Sequence, residues 1–388
     1  MKNGFKVIDS ELHLMEPLDL WKQRLPEPFR SRTRVIPPGS LSDRLRVDYG
    51  NGLIHDGATS EIRGLMKQHS ERRMVTDPRL AYAARNCRPD VWLEDMDLEG
   101  IDIAILLPTS TMGITLVDGL DPRHALAMTR AYNDWAAEFC SANPERLKFW
   151  AWLPRHDAEL AAEETCRCME QLGAVGVAVT THTVDDHLLS DSFYNPLWQE
   201  LDRLEAPFGM HVSGSAQRDN IRTRYQGHAR TEVLMRAIGG VYYAMSSVGE
   251  LILSGTLERH PNMHPVVMET SVGWTPWLLW RMDEMWETFG PDTEYSLERK
   301  PSEYFVRQCY VVADSDDGLA KHAVESGLGD RILFSGDYPH PDSPYPNAVN
   351  NFLAIEGLSD EARRKVLWDN GARLFKIESH AGELTAIA

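Results

Sequence analysis

Eight short apolar runs, separated by longer amphipathic stretches, limit what this chain can fold into. A short apolar run is typical of a buried strand, and a longer run with apolar residues at helical spacing is typical of a helix. Strands that alternate with helices predict a parallel sheet built from βα units. Eight such units are the number that closes into a (β/α)8 TIM barrel of the α/β class. The eight predicted strands are residues 5–9, 101–108, 148–153, 174–181, 207–212, 265–269, 308–313 and 331–336.

The length suits a single barrel domain with insertions. The chain has 388 residues, of which 43% are hydrophobic, and we predict one domain over residues 1–388. Residues 16–90 interrupt the pattern after the first strand with several prolines and a polar stretch. We predict that this insertion forms a lid over the mouth of the barrel. The predicted helices are residues 122–142, 157–172, 193–204, 276–288 and 317–326.

Charge and composition favour a small molecule as the partner. The formal charge of −18 would repel nucleic acid and anionic membranes. No apolar run reaches the roughly 18 residues that a membrane span needs, and the N-terminus leads into a strand rather than a signal peptide. The five cysteines lack the paired spacing of a disulfide framework. We therefore expect a cytoplasmic protein, and its apolar helices are compatible with a homo-oligomer.

The first predicted strand ends in residues that can bind a metal. Asp9, Glu11 and His13 are two apart, so in an extended strand they would face one way and Glu11 and His13 could share one ion. In the alternative interpretation, Glu11 is a capping carboxylate and His13 is a buried histidine with its hydrogen bonds satisfied.

Other predicted strands end in similar residues. His211, Glu269 and Asp337 lie at the ends of the fifth, sixth and eighth strands. The carboxyl ends of barrel strands meet at one mouth, so these side chains are expected to converge there. A mixture of imidazole and carboxylate suits a hard or borderline divalent metal, whereas a structural zinc site uses thiolates more often.

Two further histidines are candidates for a second metal. His182 ends the fourth strand, and His340 follows Asp337. The alternatives are a surface loop for His182 and, for His340, a hydrogen bond to the Asp337 loop of the kind that supports metal ligands.

Several short motifs along the chain are weak singly and specific in this order. They are Asp9-x-Glu11-x-His13-x-x-Glu16-Pro17, Asp95-Met96-Asp97, Gly100-Ile101-Asp102, Ala131-Tyr132-Asn133-Asp134-Trp135, Asn143-Pro144-Glu145-Arg146-Leu147, Leu257-Glu258-Arg259-His260-Pro261, Gly273-Trp274 and Ser335-Gly336-Asp337-Tyr338-Pro339-His340. Together they resemble the amidohydrolase-related family that includes aminocarboxymuconate semialdehyde decarboxylase and the dihydroxybenzoate decarboxylases. The resemblance runs nearly end to end and implies that Glu11, His13, His211 and Asp337 are metal ligands.

One position departs from the decarboxylases of that family. Where they have a histidine for acid–base chemistry, this chain has Glu269. Beside a divalent cation a carboxylate is favoured in its charged form and suits metal binding. A carboxylate-rich ligand set of this kind resembles dinuclear iron or manganese sites. The chain therefore also resembles a branch of this fold, the non-haem diiron hydroxylase of platensimycin- and platencin-type diterpenoid antibiotic biosynthesis.

These observations lead to a first functional hypothesis and two alternatives. The first is a non-haem iron monooxygenase, with two irons and O2, that hydroxylates an apolar or polycyclic molecule such as a diterpenoid acid derivative. Its metal ligands would be Glu11, His13, His211, Glu269, Asp337 and His182, with Glu269 and Asp337 as catalytic residues. The second is a mononuclear zinc or manganese decarboxylase or hydrolase of a small organic acid, in which Glu269 or Asp337 moves protons. The third is a non-catalytic barrel that binds a ligand or partner.

Overall fold

Eight parallel strands form the centre of the molecule. The computed structural model describes residues 1–17, 19–36, 45–49, 54–57, 88–213, 231–292, 297–340 and 343–377. The parallel strands are β1 (Ile8–Leu14), β5 (Ile103–Pro108), β6 (Leu147–Trp152), β7 (Gly176–Thr180), β8 (Pro207–His211), β9 (His264–Met268), β10 (Tyr310–Asp314) and β11 (Ile332–Ser335). Their order in the sheet is the same as their order along the chain.

The last strand of this sheet returns to the first. Ser335 Oγ donates a hydrogen bond to the carbonyl of Glu11 at 3.0 Å, and the backbone N–H of His13 donates to the carbonyl of Tyr338 at 2.9 Å. The sheet is therefore a nearly closed barrel. The predicted (β/α)8 fold is confirmed, and each of the eight predicted strands overlaps an observed one.

The helices pack outside the strands, and the five predicted helical segments are all present. Asp121 caps α4 (Pro122–Cys140), the longest helix among the described residues, since its side chain accepts a hydrogen bond from the N–H of Arg123 at 2.9 Å. No helix within the described ranges is long and apolar enough to cross a membrane. The helices are α1 (Leu20–Arg24), α2 (Phe29–Arg32), α3 (Pro89–Glu99), α4 (Pro122–Cys140), α5 (Ala158–Arg167), α6 (Asn195–Leu204), α7 (Thr231–Leu234), α8 (Gly240–Leu253), α9 (Thr256–Arg259), α10 (Thr275–Phe289), α11 (Pro301–Gln308), α12 (Ala320–Ala323), α13 (Ala348–Leu353), α14 (Asp360–Arg364) and α15 (Asn370–Leu374).

A buried tryptophan fills part of the core near β1. Trp150 on β6 is fully buried, and its indole Nε1 donates to the carbonyl of Ser10 at 2.9 Å. A side chain at Gly176 on β7 would overlap the Trp150 ring, so only glycine fits there. Phe375 closes the other side with its ring centroid 5.3 Å away.

The first strand contains a β-bulge that the sequence pattern did not predict. Asp9 pairs with Ala104, but Leu12 pairs with Leu106, so β1 has one more residue than β5 between the two pairs. Asp9 and Leu12 both line a small cavity beside Trp92 of α3. Asp9 therefore faces away from the ligand cluster described below. The predicted strand 5–9 also ended too early, because the polar residues that continue it to Leu14 are buried.

The insertion after β1 contains a small antiparallel sheet. Its strands are β2 (Arg34–Ile36), β3 (Leu45–Asp48) and β4 (Ile54–Gly57). Trp21 and Val47 of the insertion share an apolar cluster with Met128 of α4. Residues 58–87 lie outside the described part of the chain, so the lid over residues 16–90 stays a prediction.

Candidate metal centre

Five metal-competent side chains lie at the carboxyl ends of four barrel strands. Glu11 and His13 belong to the last half of β1, and His211 is the last residue of β8. Glu269 directly follows β9, and Asp337 follows β11 by two residues. All five were predicted from the sequence, and the fold brings all five to one mouth.

Their ligand atoms lie close together in two groups that share His13. Nε2 of His211 lies 3.2 Å from Glu11 Oε1 and also 3.2 Å from Glu269 Oε2. These three residues and His13 form the first group, whose ligand atoms all lie within 4.8 Å of one another. The second group contains His13, Asp337 and His340, with His13 Nε2 3.3 Å from Asp337 Oδ1.

Four of these atoms are buried without a hydrogen bond to any described residue. They are Glu11 Oε1, His13 Nε2, His211 Nε2 and Asp337 Oδ1. A buried polar atom without a partner costs about 1–3 kcal/mol, so four of them at one point indicate a missing partner. Ligand atoms bonded to one divalent ion at about 2.1 Å lie about 3.0–3.4 Å apart, which fits the distances above. The residues therefore fit a metal ion.

His13 and His211 each have a free lone pair on Nε2, at the ligand cluster. Nδ1 of His13 lies 3.2 Å from the carbonyl of Pro108, and Nδ1 of His211 bonds to the carbonyl of Val212. A carbonyl only accepts hydrogen bonds, so each Nδ1 carries the proton and each Nε2 is free to bind a metal. Burial lowers the pKa of His13 to about 3 and also lowers the pKa of His211, so both rings are neutral.

The carboxyl groups differ in charge when no cation is near. Burial raises the pKa of Glu11 well above its ordinary value, and Asp337 and Asp314 raise it further. Burial also raises the pKa of Glu269 to about 8. For Asp337 burial acts in the same direction, but His340 and His13 outweigh it and bring the pKa below the ordinary range. A divalent cation would favour the ionised form of all of them.

The loops that follow β9 and β11 hold three non-glycine residues in the left-handed region. The φ angles are 53° at Glu269, 55° at Ser271 and 51° at Asp337. Such angles are uncommon for residues with a side chain and cluster at functional sites. The conformations turn the chain sharply after β9 and β11, where two of the candidate ligands lie.

Asp9 connects the two strands that carry Glu11 and Asp337. Its Oδ1 accepts a hydrogen bond from the N–H of Glu11 at 3.2 Å, and its Oδ2 accepts one from the N–H of Gly336 at 2.8 Å. A Cβ at Gly336 would lie 2.8 Å from Asp9 Oδ2, so a larger residue would disturb this contact. The sequence placed Asp9 on the same face of the strand as Glu11 and His13. Its positioning role was not predicted, because the hydrophobic pattern of β1 does not reveal the bulge.

His182 is the one predicted ligand that does not join either group. Its ring packs against the ring of Tyr243 with centroids 4.1 Å apart. Burial lowers its pKa to about 3, so the ring is neutral. His340 does join the second group, with its Nδ1 2.9 Å from Asp337 Oδ1.

Asp314 was not among the site residues predicted from the sequence. Asp314 is the last residue of β10, and its Oδ2 accepts a hydrogen bond of 2.8 Å from Ser271 Oγ. Its position at a strand end was the available signal, as it was for His211. Asp317 instead binds the backbone, accepting from the N–H groups of Val272 and Leu319 at 2.7 and 2.9 Å.

The chain matches a known protein family over almost its whole length. The amidohydrolase family model matches residues 8–377. This chain belongs to the amidohydrolase family. The family resemblance predicted from the sequence motifs is therefore confirmed.

The curated relatives are decarboxylases. Gamma-resorcylate decarboxylase of Rhizobium sp. (strain MTP-10005) is 26% identical over 309 residues, which cover 74% of this chain and 87% of the relative. The 2-amino-3-carboxymuconate-6-semialdehyde decarboxylase of Dictyostelium discoideum is 23% identical over 257 residues, which cover 66% of this chain and 68% of the relative.

Solved structures share the fold. An amidohydrolase from Mycobacterium avium subsp. paratuberculosis superposes with a TM-score of 0.74 at 23% identity, covering 96% of this chain and 99% of the other. A dihydroxybenzoic acid decarboxylase from Polaromonas sp. JS666 was solved with bound manganese and the inhibitor 2-nitroresorcinol. It superposes with a TM-score of 0.65 at 23% identity, covering 96% of this chain and 97% of the other.

These relatives correct the first functional hypothesis. The prediction of a non-haem diiron monooxygenase was wrong, because the relatives are carboxy-lyases rather than oxygenases. Two irons, the diterpenoid hydroxylase branch and a role in antibiotic biosynthesis have no support among them. The error came from Glu269, since one extra carboxylate at the mouth was given more weight than the family as a whole.

Proposed function

We propose that this protein is a decarboxylase that holds one divalent metal ion and removes the carboxylate group of a hydroxylated aromatic acid. The observation that carries the proposal is the convergence of buried, unpartnered ligand atoms from β1, from β8 and from the residues that follow β11. The reaction class comes from the curated relatives, which are decarboxylases. The match to the Rhizobium enzyme covers 87% of the length of that enzyme.

In this proposal Glu11, His13, His211 and Asp337 hold the metal, and Glu269 adds a fifth oxygen ligand. Three carboxylates and two imidazoles suit manganese better than zinc, because zinc favours nitrogen and sulfur ligands. The related Polaromonas decarboxylase structure also holds manganese. We therefore propose manganese as the working metal.

The substrate class follows from the names of the relatives. Gamma-resorcylate decarboxylases and dihydroxybenzoate decarboxylases act on aromatic acids with hydroxyl groups on the ring. A bound divalent ion supplies positive charge opposite the carboxylate and oxygen substituents of such an acid. His13 and His211 stay neutral and fix the ligand geometry through their Nδ1–H bonds.

Glu269 makes this centre more negative than the pattern implied by the family resemblance. Its Oε2 is 3.2 Å from Nε2 of His211, which is within the ligand cluster. A carboxylate that binds a divalent ion is ionised and cannot easily supply a proton. Glu269 and Asp337 therefore serve this proposal as ligands, and the proton for the product needs another source.

The test is a decarboxylation assay on protein stripped of metal and reloaded with manganese. The panel is 2,6-dihydroxybenzoate, 2-hydroxybenzoate and 5-carboxyvanillate, with unsubstituted benzoate as the negative control. We expect carbon dioxide from at least one hydroxylated acid, none from benzoate, and none from the metal-free protein or from His211→Ala. Manganese-loaded protein that binds 2-nitroresorcinol but decarboxylates no member of the panel would contradict the proposal.

A further inference from the structure

Decarboxylation of a ring replaces a carboxylate with hydrogen, so the ring carbon must receive a proton. We propose that Asp314 is a further catalytic residue that donates this proton, with Ser271 holding its carboxyl group in place. The inference rests on the proposed function and adds a residue that lies outside the two metal-ligand groups.

The strand register places the Asp314 side chain on the inner face of the barrel. Asp314 pairs with Ser335 in the parallel ladder between β10 and β11. The preceding residue, Phe334, points outward, because its ring packs against Phe352 of α13 with centroids 5.5 Å apart. Successive residues of a strand alternate, so Ser335 points inward, and its partner Asp314 points the same way.

Asp314 lies at the same mouth as the ligand cluster. It ends its strand between β9, which leads to Glu269, and β11, which leads to Asp337. Asp314 pairs with Ser335, two residues before Asp337, and its side chain is hydrogen-bonded to Ser271, two residues after Glu269. A substrate held at the ligand cluster would therefore lie beside this carboxyl group.

Ser271 fixes one oxygen of the carboxyl group. Ser271 Oγ donates to Asp314 Oδ2 at 2.8 Å, and this is the only hydrogen bond to the Asp314 side chain among the described residues. The backbone of Ser271 is itself held, because its carbonyl accepts a hydrogen bond from Trp274 Nε1 at 3.0 Å. Oδ1 is then the oxygen that carries the proton toward the substrate.

In the metal-free protein, the surroundings of Asp314 favour its protonated form up to near-neutral pH. Burial raises its pKa to about 7, and the negative charges of Asp337, Asp317 and Asp316 act in the same direction. The hydrogen bond from Ser271 opposes them only in part. Glu11 on β1 also interacts electrostatically with Asp314, and no basic group is among the main influences on the pKa of Asp314.

The step balances with one proton from Asp314. The Oδ1–H bond breaks and a C–H bond forms at the ring carbon that carries the carboxylate. The bond from that carbon to the carboxylate then breaks, its electron pair restores the ring, and carbon dioxide leaves. Asp314 remains as a carboxylate and recovers a proton from water.

The test compares Asp314→Asn with Glu269→Gln on the manganese-loaded protein, with 2,6-dihydroxybenzoate as substrate. Asparagine keeps the shape and the acceptor for Ser271 but cannot give up a proton. We expect kcat to fall at least about 100-fold, which is the low end for loss of a general acid. Manganese content and the affinity for 2-nitroresorcinol should stay unchanged. Glu325→Gln, an exposed carboxylate change outside this loop, should retain the wild-type kcat.

The pH profile separates donation from a structural role. A general acid must be protonated, so the wild-type kcat should fall as the pH rises above the pKa of Asp314. This alkaline limb should disappear in Asp314→Asn and shift in Asp314→Glu. The proposal is overturned if Asp314→Asn keeps the limb, if it loses manganese or 2-nitroresorcinol binding, or if Glu269→Gln alone removes the limb. A wild type that releases no carbon dioxide from any aromatic acid refutes the proposed function as well.

Discussion

Oε1 of Glu11 lies 3.2 Å from Nε2 of His211, and neither atom has a hydrogen-bond partner among the described residues. The two residues come from strands on different parts of the barrel, β1 and β8. Two buried polar atoms at this separation, both lacking a proper hydrogen bond, are the arrangement expected of ligands to one ion. We therefore expect Glu11 and His211 to bind the same metal ion.

Replacement of Glu11 tests the relationship directly. Glu11→Gln keeps the size of the side chain but removes its charge, and we expect manganese affinity to fall by more than about 100-fold, beyond the usual effect of residues that only support a ligand. Elemental analysis after dialysis against buffered manganese measures the change. Glu325→Gln, at an exposed site, is the matched control. Equal manganese content in Glu11→Gln and the control would exclude Glu11 as a ligand.

Asp9 should act on the metal without touching it. Asp9→Asn places an amide N–H2 against one of two backbone donors, the N–H groups of Glu11 and Gly336. We expect the manganese affinity to fall about 10- to 100-fold, in the range for residues that position ligands. Titration with manganese followed by calorimetry gives the affinity, and the exposed Asp97→Asn serves as control. An unchanged affinity would mean that the two strands hold their positions without Asp9.

The stability of the metal-free protein should depend on pH. Burial raises the pKa of Glu269 to about 8, whereas the unfolded chain has the ordinary value of 4.5. Between these values the folded state holds a proton that the unfolded state has released, so stability falls as the pH rises. Thermal unfolding of metal-free protein between these two pH values should show a decreasing Tm. Glu269→Gln should flatten this dependence, and a Tm that rises throughout the window in the wild type would contradict the assignment.

The loop that carries Asp337 is anchored by a buried carboxylate on α3. Asp95 accepts hydrogen bonds from the hydroxyl groups of Tyr338 and Tyr345 at 2.7 and 2.9 Å. Asp95→Ala removes the acceptor for both, and we expect a loss of about 2–4 kcal/mol in the free energy of unfolding. Urea unfolding measures it, with Tyr345→Phe expected to cost less because the other hydrogen bond remains. Equal stabilities of Asp95→Ala and the wild type would show that these bonds contribute nothing.

The barrel could be predicted because its information is local. Each strand is a short apolar run and each large helix has apolar residues at helical spacing, so period and length were enough. The end of the first strand was harder to predict, because Glu11 and His13 are polar residues that are buried within β1, where they belong to the candidate metal site. A pattern that equates burial with apolar character ends such a strand too early.

The candidate site could be predicted in part. Five ligand candidates were found because the barrel fold brings strand ends together, wherever they lie in the sequence. The bulge that turns Asp9 away, and the inward position of Asp314, depend on register between strands, which one sequence does not reveal. The reaction was misjudged for a different reason, since the same ligands accept several metals and chemistries.

The most direct test of the central claim is release of carbon dioxide in the absence of oxygen. Manganese-loaded protein is incubated under argon with 2,6-dihydroxybenzoate labelled at the carboxylate carbon, and the labelled gas and the resorcinol product are both quantified. We predict equal amounts of both, at a rate that the admission of air leaves unchanged. Turnover that requires oxygen, or a product that retains the labelled carboxylate, would contradict a metal-dependent decarboxylase.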